Sequence, residues 1–522
     1  MRYLISLLLA GAFALAPLAA SHADEASTPA KADKNHHADA HETGDDATPP
    51  ATEAATRTQH SVSIGGRTIK YTATAGTLII RDDKGVPQAS VFYVAYTLDG
   101  AKADKRPVTF LYNGGPGSSS MWLHMGSFAP MRIETTSPEA TAPAPYHLVP
   151  NSDSLLDKTD LVFIDAVGTG YSRPVGKATG KDFWGVDQDI SAFSRAIQRY
   201  VSVNQRWNSP KFLYGESYGT TRSAALVDAL QEKGMAFNGV ILMSSILNYG
   251  IRIPGYDELY IGYLPTYAAA AWYHNRIANK PADLKSFLAQ VRAWAAGPYA
   301  AALAQGQNLP AAEADAVANQ LAAYTGLSVQ YIKEANLRVE PGRFRKELLR
   351  DQRLTLGRYD SRFTGTDPDA AGETPDYDAS DAGISGAFVS AFHDYVDKEL
   401  NYHSDLDYRP TFGDINKDWD WKHKAADQMR PLPLAYVAGD LGHAMRTNPN
   451  LKVLSVNGYY DFATPFSITE FDLAHMNLDP SLSGNLQFLY YPSGHMIYLN
   501  TDALKQLKAD VSHFYDHAAP QR

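Results

Sequence analysis

The 522-residue chain contains no cysteine. That absence removes thiol nucleophiles, iron–sulfur ligation, thiolate zinc sites and any disulfide scaffold. Excess positive charge is lacking too: 47 Lys+Arg stand against 57 Asp+Glu, a formal charge of −10, with no long basic run. A phosphate backbone is a poor partner for such a surface, which argues against nucleic acid as a ligand. Long apolar runs are also missing. The one candidate lies between Leu4 and Leu18 and contains Pro17, short of the roughly 20 residues that span a bilayer. With Arg2 ahead of it and small residues up to Ala23 behind it, residues 1–23 read as a secretory signal peptide. The expectation is an exported protein, periplasmic or extracellular, with no stable membrane anchor.

Residues 24–58 are rich in Ala, Asp, Thr and Pro and almost free of large apolar side chains. Such a segment cannot bury enough surface to offset its ordering entropy, so it reads as a disordered linker. His36, His37 and His41 within it could hold a metal only loosely, and no metal site is expected. From Gln59 the pattern changes. RTIKYTA, TLIIR and SVFYVAYTL alternate like antiparallel strands, whereas VTFLYN, DLVFID, KFLYGES, GVILMSS, LKVLSVNG and LQFLYYPSG are compact buried runs. Helical patterns between several of these runs imply a mostly parallel sheet covered on both faces.

That rhythm breaks over residues 248–450. Asp283 opens a helical pattern with Leu284, Phe287, Leu288, Val291 and Trp294 on one face; Pro310 opens another with Val317, Leu321 and Tyr324, closed by Gly326. The expected organisation is a first core segment at 59–250, a mostly helical cap insertion at 251–430 and a second core segment at 431–522. The acidic stretch 360–381 lacks an EF-hand spacing and reads as a solvated loop rather than a calcium site. The tyrosine-rich run YDELYIGYLPTYAAAAWYH suits a pocket, a core or an interface, and nothing fixes an oligomeric state.

The chemistry is concentrated in KFLYGESYGTT, where Gly215, Glu216, Ser217, Tyr218 and Gly219 fit G-x-S-x-G between a strand-like and a helix-like run. A serine on such a turn is thrust clear of the backbone, and glycines at the flanks avoid collision. Serine needs a base and an orienting carboxylate, expected later in the order acid then histidine, each after a strand. Asp461 follows LKVLSVNG and His495 follows LQFLYY. The tetrahedral oxyanion needs fixed N–H donors, here the amide of Tyr218 and one from the loop NGGPGSSS, with Gly115 the choice. No Lys-Ser/Thr follows those glycines, which weakens a phosphate-loop reading.

NGGPGSSS, DAVGTGYS, GESYG, NGYYDFATP and SGHMIY, in this order, resemble the serine carboxypeptidase family of the α/β-hydrolase fold. The resemblance spans about residues 105–250 and 430–515. It implies a triad of Ser217, Asp461 and His495, an oxyanion hole from Gly115 and Tyr218, a helical insertion, no cofactor, and peptides with a free C-terminus as substrates. It further implies that Asn113 and Glu216 bind the terminal carboxylate, with Glu216 sharing a proton with it, and that activity is favoured by acid.

Three departures stand out. The family's cysteine after NGGPG is absent, along with its disulfides. Its acidic pair beyond that point, which supplies a second Glu for the carboxylate, is missing from SSSMWLHMGSFAP, leaving Arg358 or Arg362 as possible grips for a carboxylate. The acidic residue often found two positions before the triad Asp is Tyr459. Because the same triad serves any acyl transfer, the alternative activity is that of an esterase, amidase or acyltransferase. A non-catalytic binding protein on the same scaffold is the remaining alternative, against which the intact set of residues argues.

Overall fold

The computed structural model describes residues 49–426 and 428–519. The expected signal peptide, the linker up to residue 48, and His36, His37 and His41 lie outside them. Ten strands among the described residues form one sheet. In chain order the main ones are β1 (Ala55–Ile64), β2 (Arg67–Arg81), β3 (Pro87–Leu98), β4 (Val108–Tyr112), β5 (Asp160–Ile164), β6 (Lys211–Glu216), β7 (Gly239–Met243), β8 (Lys452–Gly458) and β9 (Leu486–Tyr491). They lie in the order β1-β2-β3-β5-β4-β6-β7-β8-β9. The first three pairings are antiparallel, and every pairing from β5–β4 onward is parallel. A short strand, Arg173–Pro174, pairs with β3.

Two expectations shift here. RTIKYTA and TLIIR form one continuous strand, β2, and β1 begins at Ala55, inside the stretch read as linker. Glu53 is held as well, accepting from the Ile79 amide at 3.0 Å and pairing with Arg199 at 2.8 Å. An exposed, polar strand such as β1, whose buried positions are confined to Val62 and Ile64, carries too little apolar alternation to be read from composition.

The helices that matter for the site are α1 (Met121–Gly126), α2 (Val186–Val203), α3 (Tyr218–Glu232), α4 (Glu258–Tyr273), α5 (Leu284–Trp294), α6 (Ala311–Thr325), α7 (Ala379–Asp394), α8 (Ala438–Thr447) and α9 (Thr501–Ala518). Alternation along the strands feeds two cores. Phe110, Tyr112, Leu213, Val240 and Leu242 pack with α2, α3 and α8 on one face, while Leu111, Phe212, Tyr214, Ile241 and Leu454 pack with α1, α7 and α9 on the other. This is the doubly covered, mostly parallel sheet of the α/β-hydrolase fold.

A third core belongs to the segment between β7 and β8 and contains Leu264, Tyr267, Phe287, Leu288, Val291, Leu321 and Phe344. Its helices start and stop as their sequences dictate. Asp283 caps α5 by accepting from the Ser286 amide at 2.8 Å, and Gly326 ends α6 in the left-handed region at φ 70°. The tyrosine-rich run is α4, buried through the middle of this core. The later part of the same segment behaves differently: Ile384, Phe388 and Phe392 of α7 join the sheet's second core, and Ile415 and Trp419 join its first.

The acidic stretch is largely exposed between residues 364 and 377, as a solvated loop should be, yet three of its acids tether it. Asp360 pairs with Arg362 at 2.6 Å, Asp367 pairs with Lys346 with both side chains buried, and Asp378 caps α7. Among the described residues no helix is long and apolar enough to cross a membrane.

Candidate active site

Strand register places the ends of β4, β6, β7, β8 and β9 along one edge: Tyr112 lies opposite Gly215, Met243 opposite both Glu216 and Val456, and Gly458 opposite Tyr491. Carboxyl ends of parallel strands are where such sheets bind ligands, and every site residue expected from sequence emerges there.

Ser217 sits between β6 and α3 at φ 61° and ψ −130°. A side chain other than glycine in this region costs about 1–3 kcal/mol and persists only where its surroundings impose it. The surroundings here are backbone. A Cβ on Gly215 would lie 2.1 Å from the Gly219 carbonyl oxygen, and one on Gly219 would lie 2.8 Å from that of Tyr112. The Ser217 amide donates to Met243 O at 3.0 Å, and the Thr220 amide and hydroxyl donate to the Ser217 carbonyl at 2.8 and 2.7 Å. The serine itself is only partly buried.

Asp461 and His495 meet at 2.7 Å through Asp461 Oδ2 and His495 Nδ1. Asp461 is fully buried and its hydrogen-bonding is filled: the amides of Ala463 and Thr464 donate to Oδ1 at 2.7 and 3.0 Å, and the Thr464 hydroxyl donates to Oδ2 at 2.7 Å. Committing Nδ1 to the carboxylate fixes the ring's orientation and leaves Nε2 as the nitrogen for an incoming proton. Burial alone pushes the His495 pKa down; the charge and hydrogen bond of Asp461, aided by Glu216, outweigh it, so the net shift is upward.

Both loops lean on a turn of the insertion. The Arg358 carbonyl accepts from Phe462 N at 3.0 Å, the Tyr359 carbonyl from His495 N at 2.6 Å, and Ser361 N donates to the Tyr460 carbonyl at 2.9 Å. The Tyr359 ring lies 5.1 Å from the His495 ring. Arg362, buried, grips Asp360 with two nitrogens and donates to the Pro492 carbonyl at 2.9 Å. It is therefore committed and no grip for a ligand. Arg358 has an exposed side chain stacked 5.3 Å from the Tyr359 ring. Tyr459 stacks on Tyr490.

The loop after β4 presses on the first turn of α3: a Cβ on Gly114 would lie 2.4 Å from the amide nitrogens of both Tyr218 and Gly219. Gly115, at φ 104°, is thus beside Tyr218. Arg222 secures this junction. It is fully buried, pairs with Asp189 through two nitrogens at 2.7 and 3.1 Å, and donates to the Asn113 carbonyl at 2.8 Å. Asp165 Oδ1 accepts from Ser120 N at 2.7 Å, fastening the far end of the same loop. Sequence reasoning missed Arg222 and Asp189; the signal was an arginine among the small and apolar residues of TTRSAALV.

Glu216 is 1% exposed, next to Ser217 in the chain. Burial pushes its pKa up to about 7, against the lowering influence of His495, Tyr498 and Asn113. Although Tyr498 and Asn113 face it, Glu216 Oε2 reaches no partner at full hydrogen-bond geometry. Asn113 is 5% exposed, its Oδ1 accepting from Leu123 N at 2.8 Å.

The serine carboxypeptidase family model matches residues 71–480, most of the chain. The chain belongs to that family. A serine carboxypeptidase model of this extent includes Asn113, Gly115, Glu216, Ser217, Tyr218 and Asp461, and ends before His495. A prohormone-processing carboxypeptidase from Saccharomyces cerevisiae is similar in structure at 16% identity and a TM-score of 0.51, with 85% of this chain and 91% of that one covered. A proline iminopeptidase from Mycobacterium smegmatis is similar at 13% identity and a TM-score of 0.36, with 85% and 98% covered. The first likeness supports the α/β-hydrolase fold. No curated protein sequence matches the chain.

Proposed function

We propose that the protein is an exported serine carboxypeptidase that removes the last residue of peptides through an acyl-enzyme. Ser217 Oγ attacks the terminal peptide carbonyl while His495 Nε2 takes its proton, and Asp461 orients and stabilises the resulting imidazolium. The amides of Gly115 and Tyr218 stabilise the oxyanion. His495 then returns the proton to the departing amine of the C-terminal residue. Water, deprotonated by the same nitrogen, cleaves the acyl-enzyme and regenerates Ser217.

The observation that carries the exopeptidase reading is Glu216, a buried carboxyl next to the nucleophile with an unmet hydrogen-bonding oxygen. A substrate carboxylate arriving beside it shares its proton, so the pair carries one charge rather than two. Asn113 supplies a neutral donor, and export rests on the sequence of residues 1–23.

The test compares an N-blocked dipeptide with its C-terminal amide. The free acid is expected to be the better substrate by kcat/KM. Equal turnover of acid and amide removes the carboxypeptidase reading and favours the esterase or amidase alternative.

A further inference from the structure

The loop that carries His495 also carries Tyr498, in the turn Ile497–Leu499. Tyr498 is 1% exposed, and its ring fills the space over the backbone of Gly126, where a Cβ would lie 2.3 Å from a ring carbon. Its hydroxyl faces the Glu216 carboxyl and the Asn113 amide. Neither the Tyr498 oxygen nor Glu216 Oε2 completes a hydrogen bond. Because Asn113 Oδ1 is committed to Leu123, the Asn113 side chain turns its NH2 donors to other partners. A phenol donor, an amide donor and a protonatable carboxyl thus converge on one buried point, and together they match the two oxygens of a carboxylate.

The loop after NGGPG carries no acid. It reads SSSMWLHMGSFAP, and the Ser127 hydroxyl turns back to the Leu123 carbonyl. Gly126 beside it leaves the room that the Tyr498 ring occupies.

We propose that Tyr498 is a substrate-binding residue whose hydroxyl donates, as a neutral donor, to the C-terminal carboxylate of the peptide. The inference rests on the carboxypeptidase reading. Its consequence is that carboxylate recognition titrates through one side chain, Glu216, which is faced by His495, Asp461, Tyr214, Tyr498 and neutral Asn113. Burial holds the phenol far above its ordinary pKa, so it remains a donor throughout the working range.

Tyr498→Phe removes a hydroxyl that faces Glu216 and Asn113 but completes no hydrogen bond among the described residues, so the thermal midpoint is expected to hold or rise. The ratio of kcat/KM for the N-blocked dipeptide to that for its amide is expected to fall about ten-fold or more, chiefly through KM for the acid. The alkaline limb of free-acid kcat/KM should also move to higher pH, because a donor to ionised Glu216 has been lost. An unchanged ratio and limb in a folded variant would reduce Tyr498 to ring packing and overturn the inference. A normal enzyme that shows no preference for the acid over the amide overturns the parent reading, and this one with it.

Discussion

Ser217 is fixed by its own neighbourhood: the glycines on either side, the first turn of α3 and the ends of β4 and β7. Asp461 and His495 are fixed from outside, by the turn at residues 358–361 in the insertion and the buried Arg362–Asp360 pair beneath it. The geometry at Ser217 is thus a property of the sheet, whereas the geometry at His495 depends on how the inserted segment packs. Substitutions on the two sides should fail in different ways.

The largest expected effect is on the nucleophile. Ser217→Ala should lower kcat for an ester substrate by at least about 10⁴-fold with an unchanged thermal midpoint, since among the described residues no hydrogen bond of its hydroxyl helps hold the elbow. Loss of fold in this variant would contradict the separation of the two sides.

Next comes Arg362→Met, which leaves Asp360 buried and unpaired. Breaking a buried pair costs about 3–5 kcal/mol, read by thermal unfolding, and kcat should fall with it as the 358–361 turn loosens. Adding Asp360→Asn removes the stranded charge and should recover much of the stability. A stability loss with full activity would show that the turn does not position His495.

A smaller effect separates two substrates by pH. In the proposed mechanism His495 must be neutral to act as base, so its raised pKa should set the acid limb above the ordinary histidine value for esters and acids alike. In the same mechanism free-acid substrates also need the Glu216 proton, which is lost as pH rises through about 7. The optimum for an N-blocked dipeptide should therefore lie below that for its ester. Coincident pH profiles would remove the proton-sharing role of Glu216.

The smallest concerns the wall beside Tyr218. Trp419 packs edge-on at 5.3 Å from Tyr218, and the segment it opens is pinned by His423, which bonds Asp187 at 2.6 Å and Asp440 at 3.0 Å. Burial disfavours the charged imidazole, but the two carboxylates outweigh it and raise its pKa to about 9. The folded value exceeds the unfolded one, so this stabilisation is fully present below about pH 6.5 and lost as pH rises through about 9. Because Asp187 is half-exposed, the gain is on the order of 1 kcal/mol. The gap in thermal midpoint between the parent protein and His423→Gln should close between pH 7 and 10.

The same contrast explains what could be read from the chain. The elbow, the strand runs, α5 and α6 were legible because short-range rules govern them: periodicity, caps, and glycines where backbones touch. Asp461 and His495 were legible by their place after strands. The pairing of Arg362 with Asp360, and the return of α7 to the sheet's second face, were not, because they depend on contacts between distant parts of the chain. Tyr498 left no local mark either, since the room its ring occupies is made by Gly126 in the loop opposite.

The most direct measurement is C-terminal trimming of a peptide library, followed by mass spectrometry, with the normal enzyme and Ser217→Ala side by side. The expected result is ladders shortened one residue at a time from free C-termini, absent with the variant and suppressed for amidated peptides. Internal cleavage, equal trimming of amidated peptides, or trimming by Ser217→Ala would contradict it.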